Sequence, residues 1–156
     1  MALIKIVPVN RSHAAAMFPI LVSRELYRFT GGEPPNSVAE IEKWFTALET
    51  RSSQDGSERW LTWIIQLVEC STSIGYVQAT ISDGKADLAW LIGVDWQGQG
   101  YATEAIRALV DWLHENQLDM ITAHIHPNHE VSQRLARSAG LHRKELMRDG
   151  EEIWKT

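Results

Sequence analysis

The chain is poor in the residues that would place it in several large classes of protein. It has a single cysteine, Cys70, among 156 residues. No intramolecular disulfide can form, and such usage fits a reducing cytoplasm. No segment approaches the roughly 20 consecutive apolar residues of a membrane span. The opening Met-Ala-Leu-Ile-Lys-Ile-Val lacks the charged segment, apolar core and cleavage site of a secretory leader. A cytoplasmic protein with no membrane partner is the expectation. Like charges are nowhere concentrated, and the net charge of −5 argues against a nucleic-acid surface while tilting weakly toward cationic partners. Tyrosines number three, and none follows Tyr101. The rest is ordinary for a globular protein. Apolar residues make up 44% and charged residues 22%, and the length suits one domain over residues 1–156.

The apolar pattern switches repeatedly between strand and helix periods. Residues 3–9 read as a strand, and a helix from about Ser12 meets Pro19, which has no N–H for the helix ladder and should kink or divide it. Gly31-Gly-Glu-Pro-Pro35 breaks the chain. Ser37-Val-Ala-Glu40 is a capping-box sequence, after which Val38, Ile41, Trp44, Phe45 and Leu48 recur at helical spacing. Arg51 to Glu58 is a polar loop. Trp60–Glu69, Ile74–Ile81 and Lys85–Val94 read as successive strands, with Asp83-Gly84 a hairpin turn. Ala102, Ala105, Ile106, Leu109 and Leu113 share a helical face that Asn116 stops. Met120–His126 is a strand, a short helix ends at Gly140, and two strands flank Asp149-Gly150. The order β-α-α-β-β-β-α-β-α-β-β predicts an α/β domain, a mixed sheet of about seven strands with helices on both faces.

The most informative segment is Val94-Asp-Trp-Gln-Gly-Gln-Gly-Tyr-Ala-Thr-Glu-Ala-Ile106. A strand enters a turn with glycines at 98 and 100, and a helix opens at about Ala102. Glycines let the backbone bend and present consecutive N–H groups, and a helix start adds partial positive charge, so the segment suits a phosphate. Two other phosphate binders fit less well. The dinucleotide fingerprint needs its acid at the end of the following strand, whereas Asp119 precedes that strand, and the helix follows an antiparallel meander rather than opening a βαβ unit. A Walker loop needs a lysine that is absent here.

Gln97-Gly-Gln-Gly100-Tyr-Ala102 resembles the Gln/Arg-x-x-Gly-x-Gly/Ala signature of the GNAT acyltransferase superfamily. Leu88-Ala-Trp-Leu-Ile-Gly-Val94 is similar to the strand that flanks acetyl-CoA there, and Thr103–Leu113 to the helix that follows. His126–Leu141 resembles the second cofactor segment, with His129 at the usual Asn place, three before Ser132, and Leu141 where Phe is commoner. The likeness is nearest to the branch that includes ribosomal-protein alanine acetyltransferases. It is strong over residues 74–141 and loose in the first 70.

The resemblance implies a GNAT fold and acetyl-CoA as co-substrate without a metal. Backbone amides of Gly98, Gln99, Gly100, Tyr101, Ala102 and Thr103 would hold the diphosphate. Gln97 would brace the turn or reach a phosphate oxygen. The pantetheine arm would run along Ile92 and Val94, where two strands part. The segment from His129 through Ser132 would lie near the sulfur, with Ser132 as donor to the leaving thiolate. Arg134 or Arg137 would meet the 3′-phosphate. Direct attack by an amine needs a base, for which Asp87 and His126 are the candidates, with His124 on the same strand face as His126. Many members use a tyrosine acid in the second cofactor helix, and none stands there.

Each of these residues also has a plain structural reading. Asp87 can be solvated beside its hairpin, Ser132 can bond its own backbone, and the arginines can be a wet helix face. His124, His126 and His129 lack a carboxylate or thiolate companion for zinc. Of seven tryptophans, Trp44, Trp63, Trp90 and Trp112 are expected in the core, Trp96 beside the cofactor, and Trp154 along the substrate cleft. Tyr27, Arg28, Phe29, Glu25 and Glu33 fall where the family walls its acceptor site. The expected activity is acetyl transfer to a primary amine on a protein N-terminus, peptide or small metabolite. An acyl-CoA sensor without turnover is the second reading, and a homodimer could form through the sheet edge after the last hairpin.

Overall fold

The computed structural model describes residues 2–148 and 150–156, with the backbone alone for 145–148. Its elements follow the expected order: β1 (Ile4–Pro8), α1 (Ala14–Leu21), α2 (Val38–Leu48), β2 (Arg59–Leu67), β3 (Ser73–Ser82), β4 (Lys85–Ile92), α3 (Tyr101–Glu115), β5 (Met120–Ile125), α4 (Glu130–Ser138), β6 (His142–Arg148) and β7 (Glu151–Lys155). One seven-stranded sheet runs β1-β2-β3-β4-β5-β7-β6. Neighbours are antiparallel except β4 and β5, which are parallel.

That parallel pair corrects one sequence argument. β4, α3 and β5 form a βαβ unit after all, because α3 carries the chain back across the sheet. The parallel relation depends on a crossover that local pattern does not reveal. The position of Asp119, one residue before β5, remains the ground against a dinucleotide fold.

Strand alternation sends side chains to two cores. Leu61, Trp63, Ile65, Ala86, Leu88 and Ile92 meet the buried stripe of α3 (Ala105, Ile106, Leu109, Leu113) on one face. Ile64, Tyr76 and Leu91 meet Met17, Ile41 and Phe45 of α1 and α2 on the other. Each fully buried aliphatic or aromatic side chain contributes about 1.5–3 kcal/mol over its exposed state.

Local signals explain the boundaries. Asp83 and Gly84 both take positive φ (49° and 74°), the type I′ geometry whose twist matches a two-residue hairpin. Ser37 caps α2 by accepting from Glu40 N at 3.2 Å, but the returning Glu40 carboxylate takes Asn36 N at 2.8 Å, one residue before the expected amide. α4 ends in a Schellman motif: Leu141 N donates to Ala136 O and Gly140 N to Arg137 O, each at 3.0 Å, with Gly140 at φ 90°. Asn116 caps α3 and donates to Trp112 O at 2.8 Å.

Other expectations need adjustment. Residues 11–13 form a 3-10 turn, so α1 begins at Ala14, and Pro19 lies inside the helix two residues before its end. Trp44, expected in the core, is 38% exposed. Asp149 of the expected Asp149-Gly150 turn lies outside the described residues. No helix among the described residues is long and apolar enough to cross a membrane.

Candidate active site where two strands part

β4 stays paired with β3 over its whole length, from Lys85↔Ser82 to Ile92↔Gly75. Its pairing with β5 stops at Leu88↔Ala123. β5 meanwhile turns toward β7 and remains paired with it through Ile125↔Glu152. The second half of β4 therefore has an open side. Gly93 N donates to Ile74 O at 2.8 Å, so alternation turns the N–H and C=O groups of Trp90 and Ile92 toward the gap. The Ile92 carbonyl already accepts from Gln97 Nε2 at 3.0 Å, which leaves Trp90 N–H, Trp90 C=O and Ile92 N–H for an extended ligand. Val94 begins a 3-10 turn at the mouth of the gap and is 38% exposed.

The glycine turn sits at that mouth. Gly98 and Gly100 have φ of 76° and 85°, a region that costs other residues about 1–2 kcal/mol. A Cβ on either would meet nothing within 4 Å, so the backbone angle, rather than crowding, calls for glycine. Among the described residues, no acceptor meets the backbone N–H groups of Gly98, Gln99, Gly100, Tyr101, Ala102 and Thr103. The first amide to find one is Glu104, which donates to Gly100 O at 3.1 Å. The Gln99 side chain is turned back to Asp95 O at 3.2 Å. A helix start with free amides is a ready anion site.

On the α3/α4 face, Trp90 reaches across the gap. Its Nε1 donates to Ser132 Oγ at 3.1 Å, and Ser132 is buried near the start of α4. Since the indole N–H only donates, the serine proton is free to point at His129 Nε2, 3.3 Å away. Burial lowers the His129 pKa, and neighbouring His126 lowers it further. Phe29 stacks on His129 at 4.7 Å and lies 5.2 Å from His126. Residues from the segment between α1 and α2 thus touch the β5–α4 loop directly. His126 was expected to share the cleft face with His124, but β5 ends at Ile125, and its alternation ends there. The His126 Nδ1 takes Asn128 N at 3.0 Å instead.

On the opposite face, Asp87 and His124 meet just before the strands part. Asp87 Oδ1 accepts from Thr122 Oγ1 at 2.9 Å and lies 3.6 Å from His124 Nε2. Desolvation raises the Asp87 pKa, against the lowering influences of the Thr122 hydroxyl and His124. The carboxylate side chain is still 49% exposed, so water screens much of this. α1 and α2 leave this part of the sheet uncovered: Asp87, Ala89 and His124 are all exposed. Sequence reasoning named His124 but did not select it. The pairing of its strand with β4 is the missing signal, and that pairing is set by the crossover.

The remaining candidates lie apart. Arg134 is exposed on α4, and Arg137 sits over the Trp154 ring at 5.1 Å. Trp154, expected to wall the cleft, is 1% exposed in the core beneath α4, because its alternate position on β7 faces inward. Among the described residues no group of three His, Cys, Asp or Glu converges as a metal site.

The parallel pair thus parts beyond Leu88↔Ala123, with unpaired amides at its mouth and Asp87 beside His124 at its closed end. Residues 4–142 match the acetyltransferase (GNAT) domain family, and the chain belongs to it. It is accordingly an N-acetyltransferase of that family. The uncharacterized N-acetyltransferase p20 of Bacillus licheniformis is 22% identical over 128 residues, 81% of this chain and 72% of that protein. The AAC(6')-Ib structure with paromomycin and acetyl-CoA superposes with a TM-score of 0.78 at 19% identity, covering 99% of this chain and 92% of that one. RimL, a ribosomal L7/L12 alpha-N-protein acetyltransferase, superposes with a TM-score of 0.80 at 14% identity, covering 100% and 91%. At these identities the structural likeness speaks for the fold.

Proposed function

We propose that the chain moves the acetyl group of acetyl-CoA directly to a primary amine in the gap between β4 and β5. The observation that carries this is the end of β4–β5 pairing at Leu88↔Ala123, with free amides at one end of the opening and Asp87 at the other. The residues fit the co-substrate. The amides of residues 98–103 match a diphosphate in number and sign, and Trp90 and Ile92 offer backbone groups to the pantetheine amides. Val94 supplies apolar surface at the mouth. Arg134, exposed on α4, would supply the cation for a 3′-phosphate. Arg137 is already engaged with Trp154.

Asp87 is the base, with His124 as its partner in place of His126. An ammonium gives its proton to the carboxylate, directly or through water. The freed nitrogen lone pair then forms the C–N bond and the C–S bond breaks. The second nitrogen proton leaves to solvent. A backbone N–H on the open side of β4 meets the carbonyl oxygen as it becomes negative. Ser132 turns its hydroxyl from His129 toward the departing sulfur, while Trp90 keeps the oxygen in place.

One observation favours a rival. The Ser132 hydroxyl already has a partner in His129, which suits a fold that only holds acyl-CoA. Thiol release from acetyl-CoA over a broad panel of amines separates the two. Turnover that collapses in Asp87→Asn with CoA affinity intact supports transfer. Tight CoA binding with no turnover on any amine supports the sensor. The panel also distinguishes protein N-termini, peptides and small metabolites.

A further inference from the structure

A cavity of about 260 Å³ opens between the end of α1, the first half of α2 and the middle of β3. Three aromatic rings line it, from Tyr27, Trp44 and Tyr76. Trp44 and Tyr76 meet edge to face with centroids 5.9 Å apart. Leu21, Pro35 and Ile41 complete an apolar floor, and among the described residues no lysine or arginine contributes to the wall. Two carboxylates, Glu33 and Glu40, stand around it. Glu40 is committed in part to Asn36 N, and Glu33 is exposed on the loop that leads into α2. Tyr27 donates its hydroxyl to Leu21 O at 2.7 Å, so that proton is already engaged. Burial pushes the Tyr76 pKa up to about 12 and raises that of Tyr27, so both are neutral phenols at physiological pH.

Such a wall selects for charge as well as shape. Electron-rich ring faces attract a cation and gain most when it is partly desolvated. A carboxylate at the rim adds attraction of the same sign. A bare aliphatic group would fill the floor but leave Glu33 and the exposed Trp44 ring without a partner. An anion would meet two carboxylates. We infer that this cavity is a binding site for an organic cation, an alkylammonium or guanidinium group, carried by the acceptor as a second charge beside its reacting amine.

The link to the acceptor rests on the transfer reading above. Tyr76 pairs with Leu91, and Leu91, Ala89 and Asp87 alternate along the same face of β4. Leu91 lies four steps along the strand from Asp87, about 13 Å at the usual rise. An acceptor that fills the cavity and reaches the base is therefore an extended dication. A flexible diamine and a short peptide with a basic side chain share this chemistry.

Binding and turnover are tested separately. Choline carries a quaternary ammonium and no reactive amine, and 3,3-dimethylbutanol is its neutral counterpart of the same shape. Calorimetry on the intact protein should show choline binding roughly tenfold tighter than the alcohol. That preference should disappear in Trp44→Leu and in Glu33→Gln, two substitutions at exposed positions whose unchanged melting temperature checks folding. Equal binding of the two probes, or binding of neither, overturns the proposal. In the transfer assay, diamines or basic peptides spanning the distance should have a KM about tenfold below that of a monoamine. Glu33→Gln should remove this advantage, read as the ratio of the dication KM to the monoamine KM, which should approach one. The better of the diamine and peptide arms identifies the source of the cation. Choline binding without any advantage for dications overturns the link to the acceptor. Choline binding with no turnover on any amine leaves the cation site standing while the transfer reading fails.

Discussion

The two sides of the sheet are built in different ways. On the side of α3 and α4, the groups that open on the gap are mostly main chain: the amides from Gly98 to Thr103 and the unpaired edge of β4. On the side of α1 and α2, they are side chains from separate elements: Asp87 and His124 from parallel strands, and Trp44, Tyr76 and Glu33 around the cavity. A main-chain site needs only the right dihedrals, and several sequences satisfy those. A side-chain site changes its ligand with each substitution. One fold can thus keep one donor while exchanging acceptors.

Two substitutions should break this division, one on each side. Asp87→Asn should lower kcat/KM by about 10²- to 10⁴-fold, with calorimetric CoA affinity unchanged. Its effect on stability should have the other sign. A carboxyl whose folded pKa is raised contributes stability below its unfolded pKa and loses that contribution as pH rises through the folded pKa. At neutral pH the variant should therefore melt no lower than the parent, while the activity is gone. On the other side, Gly100→Val forces a branched residue to φ 85°. It should weaken CoA binding roughly tenfold by the cost of that region. The preference for dications should survive it.

A third experiment sharpens the role of His124. Burial holds the Asp87 pKa above the ordinary aspartate value, and His124 pulls it down. The acid limb of kcat/KM should therefore have its midpoint above the ordinary aspartate range, with the rate falling as pH drops through it. His124→Gln removes a group that favours the ionised form, so the midpoint should move further upward. An unmoved limb would assign the titration elsewhere. The shift should be small because Asp87 is half exposed.

What could be read from the chain follows the same division. Gly98, Gly100, the capping serine of α2 and Gly140 at the end of α4 are local devices, each carried by a few consecutive residues, and each takes its expected place. Asp87 was legible as a carboxylate on the strand that flanks the gap, but its contact with His124 was not. The contact with His124 depends on β4 and β5 becoming neighbours through α3, a separation of 37 residues in which no local pattern counts. Trp44 and Trp154 exchange roles for a related reason. Helical spacing places Trp44 beside a buried stripe but cannot say where α2 stops covering the sheet. Trp154 occupies an inward position on β7 that α4 happens to cover.

The smallest expected effect concerns the contact that joins the two sides. Phe29 comes from the acceptor-side segment and packs on His129, whose Nε2 lies 3.3 Å from Ser132 Oγ. Removing the ring in Phe29→Ala loses an aromatic contact worth about 0.5–1.5 kcal/mol. The segment carrying Tyr27 and Glu33 loses an anchor to the β5–α4 loop at the same time. KM for the acceptor should rise a few-fold, about what such a contact provides, while kcat changes little because Trp90 still holds the Ser132 oxygen. The cleaner readout is the His129 titration followed by NMR. Burial lowers its pKa in the parent, and opening the ring to water should bring it back toward 6.5. A titration that stays in place while KM rises would mean that Phe29 acts on the acceptor directly and that the two sides are independent.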